Sequence, residues 1–235
     1  MRLRPFFTYM GGKFRAAPSY PHPLHKTIIE PFAGSAGYSV RHPSRNVILY
    51  DIDPKIFGVW DYLIKVSSEE IRQLPLVFED VRNLDIPIEA QWLIGFWVNK
   101  GNTQPCFKPS AWMRSKVRED SQWGQVIRNR IAYQIDKIRH WRVFNKSFDQ
   151  IDNQKATWYI DPPYIGLNLY KYSTIDYSVL AKWCKNRCGQ VIVCENQGAK
   201  WLPFRFHKTI SATNHPSRAG VSHEAIWYQE NQEGS

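Results

Sequence analysis

Three short apolar runs each end on a carboxylate, and no other feature constrains the fold as strongly. They are Lys26-Thr27-Ile28-Ile29-Glu30, Val47-Ile48-Leu49-Tyr50-Asp51 and Thr157-Trp158-Tyr159-Ile160-Asp161. Rich in β-branched and aromatic residues and too short for helices, they read as strands. Each stops at a turn signal. A glycine-bearing turn follows Glu30, Asp53-Pro54 follows Asp51, and a Pro-Pro pair follows Asp161. Asp53-Pro54 reads as a cap and first residue of a helix. Ile56, Val59, Trp60 and Leu63 give that helix one apolar face. Strand, glycine turn, helix, strand, helix is the opening of a doubly wound α/β sheet. The pattern returns after Asp161. Asp176 caps a helix through Leu180 and Trp183, and Gln190 to Cys194 reads as a buried strand. Phe204 to Ile210 and Ala225 to Tyr228 read as closing strands, a hairpin around a polar loop.

The middle of the chain differs. Trp92 to Val98 reads as a buried helix and 101–110 as a loop with two prolines. From Asp120 a long amphipathic helix is expected. Val126, Ile127, Ile131, Ile135 and Ile138 would form its inner side, and Arg128, Arg130, Lys137 and Arg139 its basic outer face. This region holds much of the charge. The 235 residues carry a formal net +10 at a sequence pI near 9.5. Within 100–146, eleven Lys and Arg face only Glu119, Asp120 and Asp136, interleaved with Phe107, Trp112, Trp123, Tyr133, Trp141 and Phe144. Cations beside stacking rings suit a nucleic acid, with Lys100, Lys108, Arg114, Lys116, Arg118, Arg128 and Arg130, plus Arg218 further on, as candidate DNA contacts. No apolar stretch is long enough to span a bilayer, and no signal peptide or membrane partner is expected. The cysteines (Cys106, Cys184, Cys188, Cys194) read as reduced thiols, and no metal site is expected.

Chemistry gathers where the strands end. In Glu30-Pro31-Phe32-Ala33-Gly34-Ser35-Ala36-Gly37, the glycines allow backbone to approach a ligand, or simply make a tight turn. Asp51, at the tip of the second strand, can accept both hydroxyls of a ribose, or serve as a surface acid or cap. Together they suggest a ligand containing adenosine. In Asp161-Pro162-Pro163-Tyr164 the prolines fix φ and remove two backbone donors. What remains is a rigid turn presenting the Asp161 carboxylate, the Pro162 carbonyl and an aromatic face. An exocyclic base amine is a poor nucleophile because its lone pair is delocalised. Two acceptors fixed on its N–H groups would free that lone pair as the amine attacks. Tyr164 would stack on a base swung out of its helix. The plainer reading is a strand-ending turn.

These motifs, in this order, resemble the Dam-type, α-group DNA adenine-N6 methyltransferases along most of the chain. Phe7-Thr8-Tyr9-Met10-Gly11-Gly12-Lys13-Phe14 is similar to the family's N-terminal motif, with Tyr9 where Trp is usual. The resemblance implies a Rossmann-like class I methyltransferase, an α/β fold with a mixed, mostly parallel sheet. A small, mainly helical recognition region would be inserted at 91–144 into a cofactor and catalytic domain made of 1–90 and 145–235. It implies S-adenosylmethionine as cofactor, held by Tyr9, Gly11, Lys13, Glu30, Pro31, Phe32, Gly34, Gly37, Asp51, Ile52, Phe148 and Asp161. It implies Asp161, Pro162, Pro163 and Tyr164 as the catalytic motif. Phe148 lies in Lys146-Ser147-Phe148-Asp149, where the family contacts the cofactor adenine. Val191 to Asn196 and the loop before His223-Glu224 resemble later core motifs, and 97–102 resembles the start of the recognition region. The residues after 102 match no known recognition pattern, which leaves the target sequence open. DNA is the implied partner and the cytoplasm of a bacterium the implied location, the gene being bacterial or phage-borne.

Three other readings compete. The acceptor could be cytosine N4 or an RNA base, although the family's cytosine enzymes more often place Ser where Asp161 stands. A non-catalytic nucleic-acid module could retain a cofactor-like pocket. A nicotinamide-dependent dehydrogenase would need the G-x-G-x-x-G fingerprint that the first turn lacks.

Overall fold

Alternation along the strands decides which layer each residue joins. In the first strand, β1 (Thr27–Glu30), Ile28 packs on one face of the sheet and Ile29 on the other, both fully buried. In β2 (Asn46–Tyr50), Val47 and Leu49 join the first layer, Ile48 and Tyr50 the second. Strands buried on both faces read as continuous apolar runs, which is why these segments stand out in the sequence. The structure, a computed structural model, describes residues 3–99, 101–111, 121–166, 170–172, 174–211 and 221–231.

Seven strands form one sheet in the order β3-β2-β1-β4-β5-β7-β6. The others are β3 (Arg142–Phe144), β4 (Ala156–Ile160), β5 (Gly189–Asn196), β6 (Arg205–Ser211) and β7 (Val221–Asn231). β1 pairs in parallel with β2 and β4, β2 with β3, and β4 with β5. β7 is antiparallel to both β5 and β6. This mixed, mostly parallel sheet has the strand order of a Rossmann-like methyltransferase fold. The order reverses between β1 and β4, and the crevice beyond the carboxyl ends at such a switch point is where open α/β sheets bind ligands. Glu30, Asp51 and Asp161 all lie at those ends.

Helix α1 (Pro54–Lys65) starts where the sequence places it. The Asp53 carboxylate accepts from Lys55 N, and Pro54 takes the first helical position. Ile56, Val59, Trp60 and Leu63 are fully buried. Asp53→Ala is expected to lower stability by about 1 kcal/mol through loss of the cap. A denaturant midpoint equal to the wild type would contradict that role. Helix α2 (Ser68–Gln73) opens with a Ser67–Glu70 capping box. Helix α3 (Ile88–Val98) is apolar almost all round and packs against α1.

The basic helix departs from expectation. Helix α4 (Gln125–Gln134) begins after a turn at 121–124 rather than running from Asp120, and it tightens into a 3₁₀ turn over Ile135–Ile138. Ile127, Ile131, Ile135 and Ile138 are buried, whereas Val126 is exposed. At 100° per residue, position 126 falls off the stripe that the other four share. Trp97, Ile127, Ile131 and Trp141 belong to the same core as Phe7, Trp60 and Tyr159, and β3 is part of the sheet. The described parts of 91–144 thus share the core of the rest of the chain. Helix α5 (Tyr177–Lys185) is capped by Asp176, which accepts from Ser178 N and Val179 N. Among the described residues no helix is long and apolar enough to cross a membrane.

Candidate active site

The turn after β1 is locked onto the tip of β2. Gly34 N donates to Asp51 Oδ2 at 2.9 Å, and Asp53 N to Asp51 Oδ1 at 2.9 Å. Burial pushes the Asp51 carboxyl up to about 6, against the pull of these two N–H groups. Asn145 Nδ2 donates to the carbonyls of Asp51 and Ile52 at 2.8 and 3.1 Å and fixes the turn from the far side. Gly34 stands at φ 45°, and a Cβ there would lie 3.0 Å from the Tyr9 ring. Glycine therefore leaves the space that Tyr9 approaches. Ile52 is exposed beside the turn. Phe32 packs on Phe148 at 5.7 Å between ring centroids, and Trp183 meets Phe148 edge-on. Pro31 and Glu30 are buried beneath. Glu30 Oε1 accepts from Ser39 N at 2.7 Å, so this acid braces the loop. Burial drives its carboxyl up to about 8, opposed by that same residue.

Gly37 brings the N-terminal segment into the site. A Cβ on it would stand 2.5 Å from Phe14 N and 2.9 Å from Lys13 C and N, all backbone atoms. Arg41 secures the same segment through two N–H bonds to the Phe14 carbonyl. Tyr9 then sits near Phe96 and Tyr170, at 6.0 and 6.1 Å between rings, and Gly11 at φ 75° turns the chain. Lys13 Nζ donates to Gly11 O at 3.1 Å and faces Asp161 Oδ1 at 3.1 Å. It also lies 4.6 Å from the centre of the Tyr164 ring.

Asp161, Pro162, Pro163 and Tyr164 leave β4 beside that lysine. Burial raises the Asp161 carboxyl above its ordinary range; Lys13 pulls it down and Glu224 pushes it up. Burial alone would push Lys13 down, but Asp161 and then Glu224 outweigh it, and the ammonium holds its proton more tightly than usual. The Tyr164 hydroxyl donates to Glu224 Oε2 at 2.6 Å, and Tyr177 OH donates to the Pro163 carbonyl at 2.6 Å. Glu195 accepts from Ile165 N, Asn196 N and Trp201 Nε1, and so ties the Pro-Pro turn to β5. The result is a partly buried carboxylate with a fixed cation and a fixed aromatic ring at the end of β4, and a second carboxylate, Asp51, held by backbone at the end of β2. Such an arrangement can hold a polar group by its N–H bonds and stabilise positive charge developing on it.

Glu195, Glu224 and Asn145 join the site although no motif in the sequence gives them a role. Glu195 and Glu224 are carboxylates inside apolar strands, at Val193-Cys194-Glu195 and Glu224-Ala225-Ile226. An acid in such a position needs a partner, and that is the signal that could have found them.

The basic candidates are used differently. Arg128 Nη1 donates to Leu74 O at 2.8 Å, and Arg130 Nη2 to Pro5 O at 3.3 Å while lying over the Trp97 ring. Both lace α4 to the body of the protein, a correction to the basic outer face expected of them. Lys108 is exposed and lies 3.7 Å from Asp80 Oδ2. Lys100, Arg114, Lys116, Arg118 and Arg218 lie outside the described residues. Of the interleaved aromatics, Trp123 and Trp141 are core, and Tyr133 is exposed.

No protein-family model and no curated protein matches the chain. Among solved structures, it is similar to a conserved hypothetical protein of Streptococcus pyogenes at 11% identity and TM-score 0.40, over 94% of this chain and 95% of that one. It is also similar to a candidate methylase of Haemophilus influenzae at 13% identity and TM-score 0.35, over 88% and 87% of the two chains. With both TM-scores under 0.5, the fold rests on the strand order described above.

Proposed function

We propose that this protein is an S-adenosylmethionine-dependent DNA methyltransferase acting on the N6 amine of a flipped adenine. The observation that carries the reading is the partly buried Asp161 carboxylate at the end of β4, on a diproline turn, faced by Lys13 at 3.1 Å and followed by an anchored Tyr164. The acceptor is a weak nucleophile, and the turn is built to grip its N–H groups. The Asp161 carboxylate takes one N–H and the Pro162 carbonyl the other, while the Tyr164 ring stacks on the base. As the nitrogen takes the methyl, the carbon–sulfur bond would break to leave a neutral thioether. The positive charge grown on the nitrogen, beside a carboxylate already fixed in place, would be discharged by loss of one N–H proton to that carboxylate and on to solvent.

The residues at the first two strand ends fit the cofactor. Asp51 offers a half-buried carboxylate with lone pairs left for two ribose hydroxyls, Gly34 lets the Tyr9 ring close on the turn, and Tyr9, Phe32 and Phe148 offer rings. When bound, the cofactor supplies an activated methyl group on a sulfonium. The net charge of +10 supports a polyanionic second substrate.

Incubation with tritium-methyl-labelled S-adenosylmethionine and mixed-sequence DNA is expected to label the DNA. Label that stays out of DNA in folded material would overturn the reading. Asp51→Ala is expected to weaken donor binding roughly 100-fold in calorimetry, since two hydrogen bonds to a charged acceptor are lost. A dissociation constant unchanged in a folded variant would remove Asp51 from the pocket.

A further inference from the structure

We propose that Glu224 is a positioning residue for the reacting centre, clamping the Tyr164 hydroxyl and sharing the Lys13 ammonium so that Asp161 keeps an oxygen open to the amine. This inference deepens the methyltransferase reading and rests on it.

Glu224 lies on β7, 60 positions beyond Tyr164 in sequence, and is 5% exposed. Its Oε2 accepts from Tyr164 OH at 2.6 Å and from Tyr20 OH at 3.4 Å. Its Oε1 lies 4.0 Å from Lys13 Nζ, whose nearer contacts are Gly11 O and Asp161 Oδ1, each at 3.1 Å. A buried acid in an apolar strand is costly unless it is partnered. Here its partners include Tyr164 of the proposed catalytic motif and the lysine that faces Asp161. One ammonium serves two carboxylates, so neither oxygen set is fully claimed by it. Were Lys13 to face Asp161 alone, its charge would compete with the substrate amine for the same acceptor.

The surroundings make the effect readable. The charged groups whose field reaches Asp161 are Lys13 on the N-terminal segment, Glu224 on β7, Glu30 on β1 and Glu195 on β5. The other titratable neighbours are Tyr9, Tyr20, Tyr159, Tyr164, Tyr170 and Cys194, all pushed up by burial and so neutral near pH 7. On the Glu224 side, His207 stacks on Tyr20 and is held down by burial. Negative charge at Glu224 disfavours a second negative charge at Asp161. Removing it must therefore move the Asp161 titration to lower pH.

The test compares wild type, E224Q and E224A by carbon-13 carboxyl titration of Asp161, assigned with D161N, and by single-turnover methyl transfer to DNA. E224Q keeps an acceptor for Tyr164 but loses the charge. Its Asp161 midpoint and the acid limb of its rate profile are expected to fall by about one pH unit. E224A also takes the Glu224 acceptor from the tyrosine, which keeps only its contact with Asp161, and its transfer rate is expected to drop about 10- to 100-fold with donor affinity little changed, E224Q restoring most of the loss. A purely structural Glu224 would lower the melting temperature of both variants and leave the Asp161 midpoint in place, and that result would overturn the inference. If E224A does not fold, E224Q decides. If wild type transfers no methyl group, the methyltransferase reading fails by itself, while the Asp161 titration still reads the role of Glu224.

Discussion

Asp161→Ala is expected to reduce methyl transfer about 10³-fold, the upper end for losing one group aimed at developing charge, while the protein stays folded and keeps part of its affinity for the donor. The carboxylate lies with Lys13, whereas Asp51 is held by Gly34 N at the turn where the proposed function places the donor. Removing Asp161 leaves the buried Lys13 with Glu224 at 4.0 Å, so its charge is still partly matched. This limits the structural damage that an orphaned buried ammonium would otherwise cause. Wild type carries a related signature. Only the ionised carboxylate offers a full negative charge to the developing positive charge on nitrogen, and burial raises the Asp161 pKa. The rate should therefore begin to fall, as pH is lowered, above the range of an ordinary aspartate. A transfer rate in Asp161→Ala within tenfold of wild type would remove Asp161 from the chemistry.

Gly37→Ala is expected to be the most damaging single-methyl change in the site. Its added carbon meets Phe14 N at 2.5 Å and two Lys13 backbone atoms at 2.9 Å. Backbone cannot swing aside as a flexible side chain can, and Arg41 holds this stretch in place. Overpacking of this kind costs about 3 kcal/mol, which lowers the melting temperature by roughly 6–12 °C in a chain of this size. The segment that must move carries Tyr9 and Lys13, so donor affinity and transfer rate should fall together. A melting temperature within about 2 °C of wild type would mean that the N-terminal segment is not seated on Gly37.

Much of this was legible in the sequence because local signals and tertiary demands agree. Strands buried on both faces must be continuously apolar, and Ile28-Ile29 and Val47 to Tyr50 are. Asp53-Pro54 and Asp176 are caps whose oxygens do find the expected backbone donors. Where the sequence misleads, a long-range partner decides. Arg142-Val143-Phe144 is too short and polar to read as a strand, and it becomes one because β2 offers it an open edge. Arg128 and Arg130 look like a solvent-facing stripe, yet the carbonyls of Leu74 and Pro5 claim their guanidinium groups across 54 and 125 positions. Glu224 sits in an apolar strand with no neighbour in sequence that explains it, since Tyr164 and Lys13 reach it from other elements. The Asp161 turn was visible; the carboxylate behind it was not.

The most direct measurement is mass analysis of nucleosides after DNA is incubated with S-adenosylmethionine and the protein, then digested to completion. Deoxyadenosine bearing one added methyl at N6 is the expected product, absent when Asp161→Ala replaces wild type. Methyl on cytosine alone, or unmodified nucleosides from protein that binds the donor, would contradict the account.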